Sequence, residues 1–402
     1  MSKDAETDKG REIETAVETD VTGTMPGEMM ERAAATIRTM EHAAAAVRTV
    51  SWTVQKTDCS SVKPAQEQDG FIKERKNRNR GPQLTIEQFL RDKGCSHHVL
   101  THLKHTDHGI LKNGEWAYAN QPLSTGDVIT VRVEETENSD RISAVSLPIS
   151  VVYEDEDVLV VDKPGDMPVH PSMGNYENTL ANAVMYYYAS QKQAFTFRCI
   201  TRLDRDTTGL VLIAKNALSG AILSSYSSKR QIHREYLAIT DGILPEEGTI
   251  DAPIARCPGS ALMRCVDWEH GERAVTHYQR LGVYRMPYET SEETFQGGNL
   301  SGLKSDAVSV GCAPQEISLA NVRLETGRTH QIRVHMKSVG HPLPGDFLYN
   351  PESVCNLAPR QMLHAHRLAF AHPITGEPLV FESKMPPDMR RLLEIYQKLK
   401  TK

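Results

Sequence analysis

Apolar and polar positions divide the 402-residue chain into three kinds of pattern. Residues 1–81 carry nothing periodic enough to bury a core, except from 26 to about 50. There Met30, Ala33, Ile37, Met40, Ala44 and Val47 recur at alternating threes and fours, which predicts an amphipathic helix with Pro26 suited to its first turn. The stripe is under three heptads long and rich in alanine, so this segment reads as a disordered extension carrying one frayed helix. Residues 82–134 are compactly patterned. Ile86, Phe89 and Leu90 mark one short helix ended by Gly94, Val99, Leu100 and Leu103 mark a second, and Lys112-Asn113-Gly114 reads as a turn between strands. A polar linker at 134–141 follows.

From 148 to 400 the pattern changes to short β-branched runs, the clearest at 158–161, 210–214, 234–240 and 317–324. Helices are predicted at 178–190, 216–229 and 329–339. Strands dominate and strand–helix–strand repeats are few, so the class is α+β. The run 317–324 alternates imperfectly, as a strand with a bulge would. A stretch rich in serine, glycine and glutamate at about 286–315 breaks the rhythm and reads as a loop insertion.

Charge and cysteine content narrow the setting. The formal net charge of -6 argues mildly against a nucleic-acid binder, yet a basic run, IKERKNRNR, occupies 72–80 at the edge of the patterned region. The seven cysteines are scattered and form no CxxC pair, which suits reduced thiols. No run approaches 18 apolar residues, and the first twenty residues are acidic without an apolar core. A cytoplasmic protein with neither membrane span nor secretion signal is the expectation. His98, His102 and His105 share one helix face at zinc-like spacing, but no cysteine or carboxylate completes a ligand set, so no metal is assigned.

The most informative stretch is 197–216, FRCITRLDRDTTGLVLIAKN, which places Asp204 in a charged turn between two strands. Thr207, Thr208 and Gly209 close the turn, glycine permitting φ > 0 where the chain re-enters the sheet. An aspartate in a turn is ordinarily a turn former or cap, so this segment alone assigns no chemistry.

The segment RLDRDTTG does not stand alone. VLVVDKPGDMPVH at 158–170 precedes it, and REYLAI at 234–239 and LETGRTHQIRVHMKSVGHPLPGD at 324–346 follow. Four blocks in this order resemble the RluA-type pseudouridine synthases, and 82–134 resembles the S-four RNA-binding domain that accompanies them. The resemblance implies a mixed, mainly antiparallel sheet with flanking helices and a central cleft. It implies an isomerase that acts on structured RNA, with large-subunit ribosomal RNA favoured over transfer RNA; no cofactor is expected, and a monomer is the expectation.

In that family the aspartate matching Asp204 is the nucleophile, the tyrosine matching Tyr236 lies against the target base, and the arginine matching Arg333 pairs with the aspartate. A bidentate Arg333–Asp204 pair is expected. Arg202 is the candidate to fill the stack left by a flipped nucleotide, and Arg205, Arg328 and Lys163 are candidate RNA contacts nearby. In the small domain, Ser96, Lys104 and Lys112 lie on the helix and turn that such domains present to phosphates. The chain departs from the pattern at Thr201, where histidine is more usual, and at His97 and His98, where arginine or lysine is. Asp206 is expected to support the turn. A glycosidase would need a second carboxylate close to Asp204, and a silent RNA-binding factor would be expected to have lost Asp204, Tyr236 or Arg333.

Overall fold

The computed structural model describes residues 46–60, 83–135, 139, 141–286, 315–353 and 357–398. The small domain contains β1 (Ala46–Thr53), α1 (Lys56–Ser60), α2 (Ile86–Asp92), α3 (His97–His105), β2 (Ile110–Lys112), β3 (Glu115–Trp116) and β4 (Val128–Glu135). Its sheet has the order β1-β4-β2-β3 and is antiparallel at every pairing. Capping follows the sequence: Thr85 and Gln88 form a reciprocal capping box at α2, and the Ser96 hydroxyl accepts from the Val99 amide at α3.

β1 corrects the helix predicted across 26–50. Residues 46–50 belong to a strand in register with β4, Val50 opposite Val131, while 26–45 lie outside the described residues, as does the basic run at 72–80. The physical reason is local. The alanines that carried the helical stripe give way to VRTVSWTV, whose β-branched residues suit a pleated surface, and Val50 and Val54 alternate onto a buried face.

The large domain is built on an eleven-stranded sheet. Its strands are β5 (Val151–Glu154), β6 (Val158–Lys163), β7 (Arg198–Cys199), β8 (Thr208–Ala214), β9 (His233–Asp241) and β10 (Glu247–Asp251), followed beyond a separate ribbon of β11 (Ile254–Arg256) and β12 (Arg264–Val266) by β13 (Val275–Arg285), β14 (Glu316–Leu324), β15 (Leu363–Ala371), β16 (Pro378–Glu382) and β17 (Gln397–Lys398). The main path runs β10-β13-β14-β9-β15-β8-β6-β5, and only β8 and β15 pair in parallel. The helices are α4 (Leu180–Ser190), α5 (Ala217–Ser228), α6 (Gln331–Ser338) and α7 (Pro387–Ile395). The fold is α+β with a mixed, mainly antiparallel sheet.

β6 and β8 carry uninterrupted apolar runs, at 158–161 and 210–214, because both of their faces are covered. Leu159, Val161, Val211 and Ile213 pack with α4 and α6, whereas Val158, Val160, Leu210 and Leu212 turn to the opposite face, where Leu223 of α5 packs. The same burial explains the broken alternation of β14. That strand pairs with β9 without a shift, and the irregularity lies on its other neighbour, β13, between Arg280 and Gly282. The insertion expected at 286–315 falls largely outside the described residues.

The two domains share a core. Leu218 and Ile222 of α5 belong to the small domain's hydrophobic cluster, and a Cβ on Gly94 would sit 3.0 Å from Ile222. Arg48 on β1 reaches across to Asp157, Nη2 to Oδ2 at 2.7 Å, and Glu135 at the end of β4 accepts from both Arg198 and the Ala217 amide.

Candidate active site

Asp204 is presented by a loop fixed from below. Leu203 is 9% exposed and packs into the main core, Thr207 N–H bonds the Asp204 carbonyl, and the buried Thr201 hydroxyl accepts from Leu212 N–H at 2.9 Å. Thr201, the departure from the family pattern, is therefore a strut of this loop. Gly209 has φ +114, and a Cβ there would lie 2.3 Å from the Ala365 carbonyl, so only glycine lets β8 approach β15 this closely.

Lys163 sits beneath the same loop. It is 1% exposed, and its Nζ donates to the carbonyls of Pro164, Met167 and Arg205 at 2.7–2.8 Å. Three carbonyl acceptors match the three N–H bonds of an ammonium. Burial pulls this ammonium down to about 7, against the opposing pull of Asp206 and Asp204. Lys163 was a candidate RNA contact, and that assignment is corrected: a buried, fully engaged lysine braces the loop from inside.

Arg333 projects from α6 and is 2% exposed. Its Nη1 donates to Asp204 Oδ2 at 3.0 Å, and its Nε and Nη2 donate to the two oxygens of Asp346, each at 2.7 Å. The arginine expected to pair with Asp204 does so, but the bidentate fork faces Asp346 instead. Asp346 is 0% exposed and also accepts from the Leu348 and Tyr349 amides. The Tyr349 and Phe347 rings lie 5.1 and 5.8 Å from the guanidinium carbon. Burial works against the charge on Arg333, and its bonds to Asp346 and Asp204 outweigh that, so its pKa is raised above the ordinary value. The other Asp204 oxygen accepts no hydrogen bond among the described residues.

One pocket gathers these groups. Asp204, Tyr236 and Arg333 line it together with Arg202, Arg234, Arg328, Thr329 and His330. Tyr236 is 4% exposed on β9, its ring in the main core and its chain neighbours held by β14 and β15. His330 occupies the left-handed region at φ 57, a strained setting for a non-glycine, and its Nδ1 is 2.9 Å from the Tyr349 hydroxyl. Burial, partly offset by Asp204, lowers its pKa and favours the neutral ring.

Curated relatives align over most of the chain. YjbO of Bacillus subtilis, named as an uncharacterized RNA pseudouridine synthase, is 34% identical over 312 residues, covering 77% of this chain and 99% of its own length. The chain belongs to the RluA-type RNA pseudouridine synthases. The RNA pseudouridylate synthase family model matches residues 157–338. Two proteins named ribosomal large subunit pseudouridine synthase D are also similar. That of Haemophilus influenzae is 37% identical over 65% of this chain and 75% of its own length, and that of Zymomonas mobilis is 38% identical over 71% and 86%. Among solved structures, human RNA pseudouridylate synthase domain containing 1 aligns with a TM-score of 0.47 at 24% identity, over 63% of this chain and 91% of that one.

The remaining expected contacts of this synthase are dispersed. Arg202 is exposed at the pocket, with Nη2 3.3 Å from the Thr329 hydroxyl. Arg328 pairs with Glu272 and bonds the Arg273 carbonyl. Arg205 pairs with Asp206 at 2.9 Å and lies over Phe347, while Asp206 also accepts from the Asp166 amide and so supports the turn as expected. Ser96, Lys104 and Lys112 lie in the small domain, apart from the pocket. Ser96 is occupied in capping α3, Lys104 pairs with Glu87 at 2.8 Å, and Lys112 pairs with Asp127 at 2.9 Å. Among the described residues, the cluster whose carboxylate and imidazole atoms lie within 4.8 Å of one another is Asp155, Asp157 and His372, away from the α3 histidines.

Asp346 and His330 are the residues at this site that the motifs alone did not single out. The Gly345-Asp346 turn held the signal. Gly345 has φ +75, and a Cβ there would sit 2.1 Å from the Arg360 carbonyl, so the turn that delivers Asp346 requires glycine.

Proposed function

We propose that this synthase converts uridine to pseudouridine in large-subunit ribosomal RNA, with Asp204 as nucleophile. The observation that carries this reading is the half-engaged carboxylate. One oxygen is held by a buried arginine, and the other is free toward a pocket whose wall includes Tyr236. The reaction breaks the bond from N1 of uracil to the ribose, turns the base, and forms a bond from C5 to the same ribose carbon. N1 gains a proton and C5 loses one, so no outside reactant is consumed. Asp204 adds to the ribose carbon or to C6 of the base, both routes being open to an ionised carboxylate at this position. Arg333 holds and aims the carboxylate. Tyr236 packs against the uracil and takes the C5 proton, directly or through water. The nucleotide enters flipped from its stack, with Arg202 at the pocket rim filling the vacancy.

The ribosomal substrate is supported by the two synthase D relatives, whose names specify the large subunit. The small domain serves as an S-four-like RNA platform, and the enzyme works in the cytoplasm as a monomer. Tritium release from C5-labelled uridine in separate ribosomal and transfer RNA transcripts tests the reading. Release from ribosomal transcripts that Asp204→Asn abolishes is the expected result. Release from transfer RNA alone would replace the substrate, and no release from either would reject the isomerase.

A further inference from the structure

Across residues 205–208 from the Asp204 pocket lies a separate cleft of about 1180 Å³. Arg205 and Phe347 border it on the catalytic side, and Lys384, Arg390 and Arg391 line it from the C-terminal segment. We infer that this cleft holds the phosphodiester backbone of the RNA strand flanking the target uridine, with Lys384, Arg390 and Arg391 as its phosphate contacts. The ligand class rests on the isomerase reading, and the cleft's charge and continuity supply the rest.

The charge is uneven in a way that favours an anion. Two of the carboxylates lining the cleft are already neutralised, Asp206 by Arg205 at 2.9 Å and Asp388 by Arg360 through bonds of 2.7 and 3.0 Å. A third, Asp162, accepts from the Ser383 hydroxyl, and Asp166 is 3.9 Å from Arg205. Lys384, Arg390 and Arg391 are all exposed, and among the described residues none of their side chains makes an ion pair or hydrogen bond. Three unpaired cations on one wall raise the local concentration of anions.

The cations are also held in place. Arg390 and Arg391 stand on α7, which is anchored by Met389 and Leu392 in the core and by the Asp388–Arg360 pair. Their positions therefore follow the sheet rather than a loose tail. Phe347 links the two sites. Its ring lies 5.4 Å from the Arg205 guanidinium and 5.8 Å from that of Arg333, and it is 45% exposed. A strand leaving the Asp204 pocket meets Arg205 and this open ring before reaching the three cations. Cations in series with an accessible aromatic face are what single-stranded nucleic acid uses, phosphates on the former and bases on the latter.

The test uses the full chain, a large-subunit ribosomal transcript and a transfer RNA transcript. Affinity is measured between 50 and 200 mM salt for the wild type, for Lys384→Glu/Arg390→Glu/Arg391→Glu, and for the matching triple glutamine variant. Loss of three phosphate contacts should lower the salt slope by about 2–3 and weaken binding at low salt at least ~10-fold, the glutamine variant lying between. Tritium release at saturating RNA should stay within about twofold, because the reacting groups are untouched. Unchanged affinity and slope in a triple variant that melts with the wild type would overturn the inference. So would a fall in turnover at saturating RNA without a change in affinity, or failure of both transcripts to bind the wild type. Charge-dependent binding without tritium release would sustain the cleft and reject the isomerase. Tritium release that the triple variants match at every RNA concentration would do the reverse.

Discussion

Asp204 and Asp157 are both aspartates paired with arginine, and the two sites serve opposite ends. Asp157 is closed. Its side chain is 2% exposed, and its oxygens accept from Arg48 twice and from Asn216 and Ser219. Asp204 has a 23% exposed side chain and accepts one bond, from an arginine whose stronger engagement is with Asp346. What separates the two carboxylates is the oxygen left without a donor. Arginine is present in both places and does not discriminate. The Asp157 site even has the composition of a metal centre, with Asp155 and His372 beside it, yet the Arg48 guanidinium already supplies the cation.

Asp346 explains how the open arrangement is kept. Its two bonds fix the plane of the Arg333 fork, so the remaining N–H points at Asp204 without needing that carboxylate to hold it. Asp346 takes two of the three Arg333 bonds, so Asp204 is held through one oxygen only.

The comparison is broken most severely at Asp204, the proposed nucleophile. Asp204→Asn should lower tritium release by at least about 1000-fold, because the amide cannot form the intermediate, while RNA affinity and melting temperature stay near wild type. A residual rate within tenfold of wild type would show that the open oxygen is not the nucleophile.

Arg333→Lys comes next. It loses the fork geometry on both carboxylates, and breaking this buried network should cost about 3–5 kcal/mol of stability together with most of the activity. Urea unfolding and single-turnover release measure the two losses separately.

Asp346→Asn sharpens the division of labour. It keeps the shape while removing one charge, so turnover should fall by roughly 10- to 100-fold with the KM for RNA little changed, as for a loosened positioning shell. A rise in KM with turnover intact would mean that Asp346 shapes the RNA surface instead.

Arg48→Ala should have the smallest effect on chemistry. Turnover per folded molecule stays at wild type, while stability falls by about 1–3 kcal/mol, seen as lost exchange protection in β1 and β4. The pH dependence sharpens this prediction. Burial alone would raise the Asp157 carboxyl, but its bonds to Arg48, Asn216 and Ser219 outweigh burial and hold it below the ordinary value. Its contribution is complete above the unfolded carboxyl value near ~4 and is lost as pH falls through the lower folded value. Removing Arg48 should therefore move the acid-unfolding midpoint of the wild type to higher pH.

The sequence by itself determined the family and the α+β class, and it offered Asp204, Tyr236 and Arg333 as the candidate site residues. Four ordered motifs and short β-branched runs are local properties, and the resemblance suggested the site roles. Helix ends at Thr85, Ser96 and Asn216 were equally local, since a cap is written within four residues. The tertiary structure alone decided the rest. It converted 46–50 from helix to strand, because pairing with β4 outweighs a marginal helical stripe. It turned Lys163 inward, because the Arg205 carbonyl, 42 residues along the chain, joins the local Pro164 and Met167 carbonyls to receive its ammonium. It gave the Arg333 fork to Asp346, thirteen residues along the chain, rather than to Asp204, 129 residues away. It also set the unpaired cations of α7 near the catalytic loop. Pattern shows which residues face a core, but the donors and acceptors that meet across it are chosen by packing.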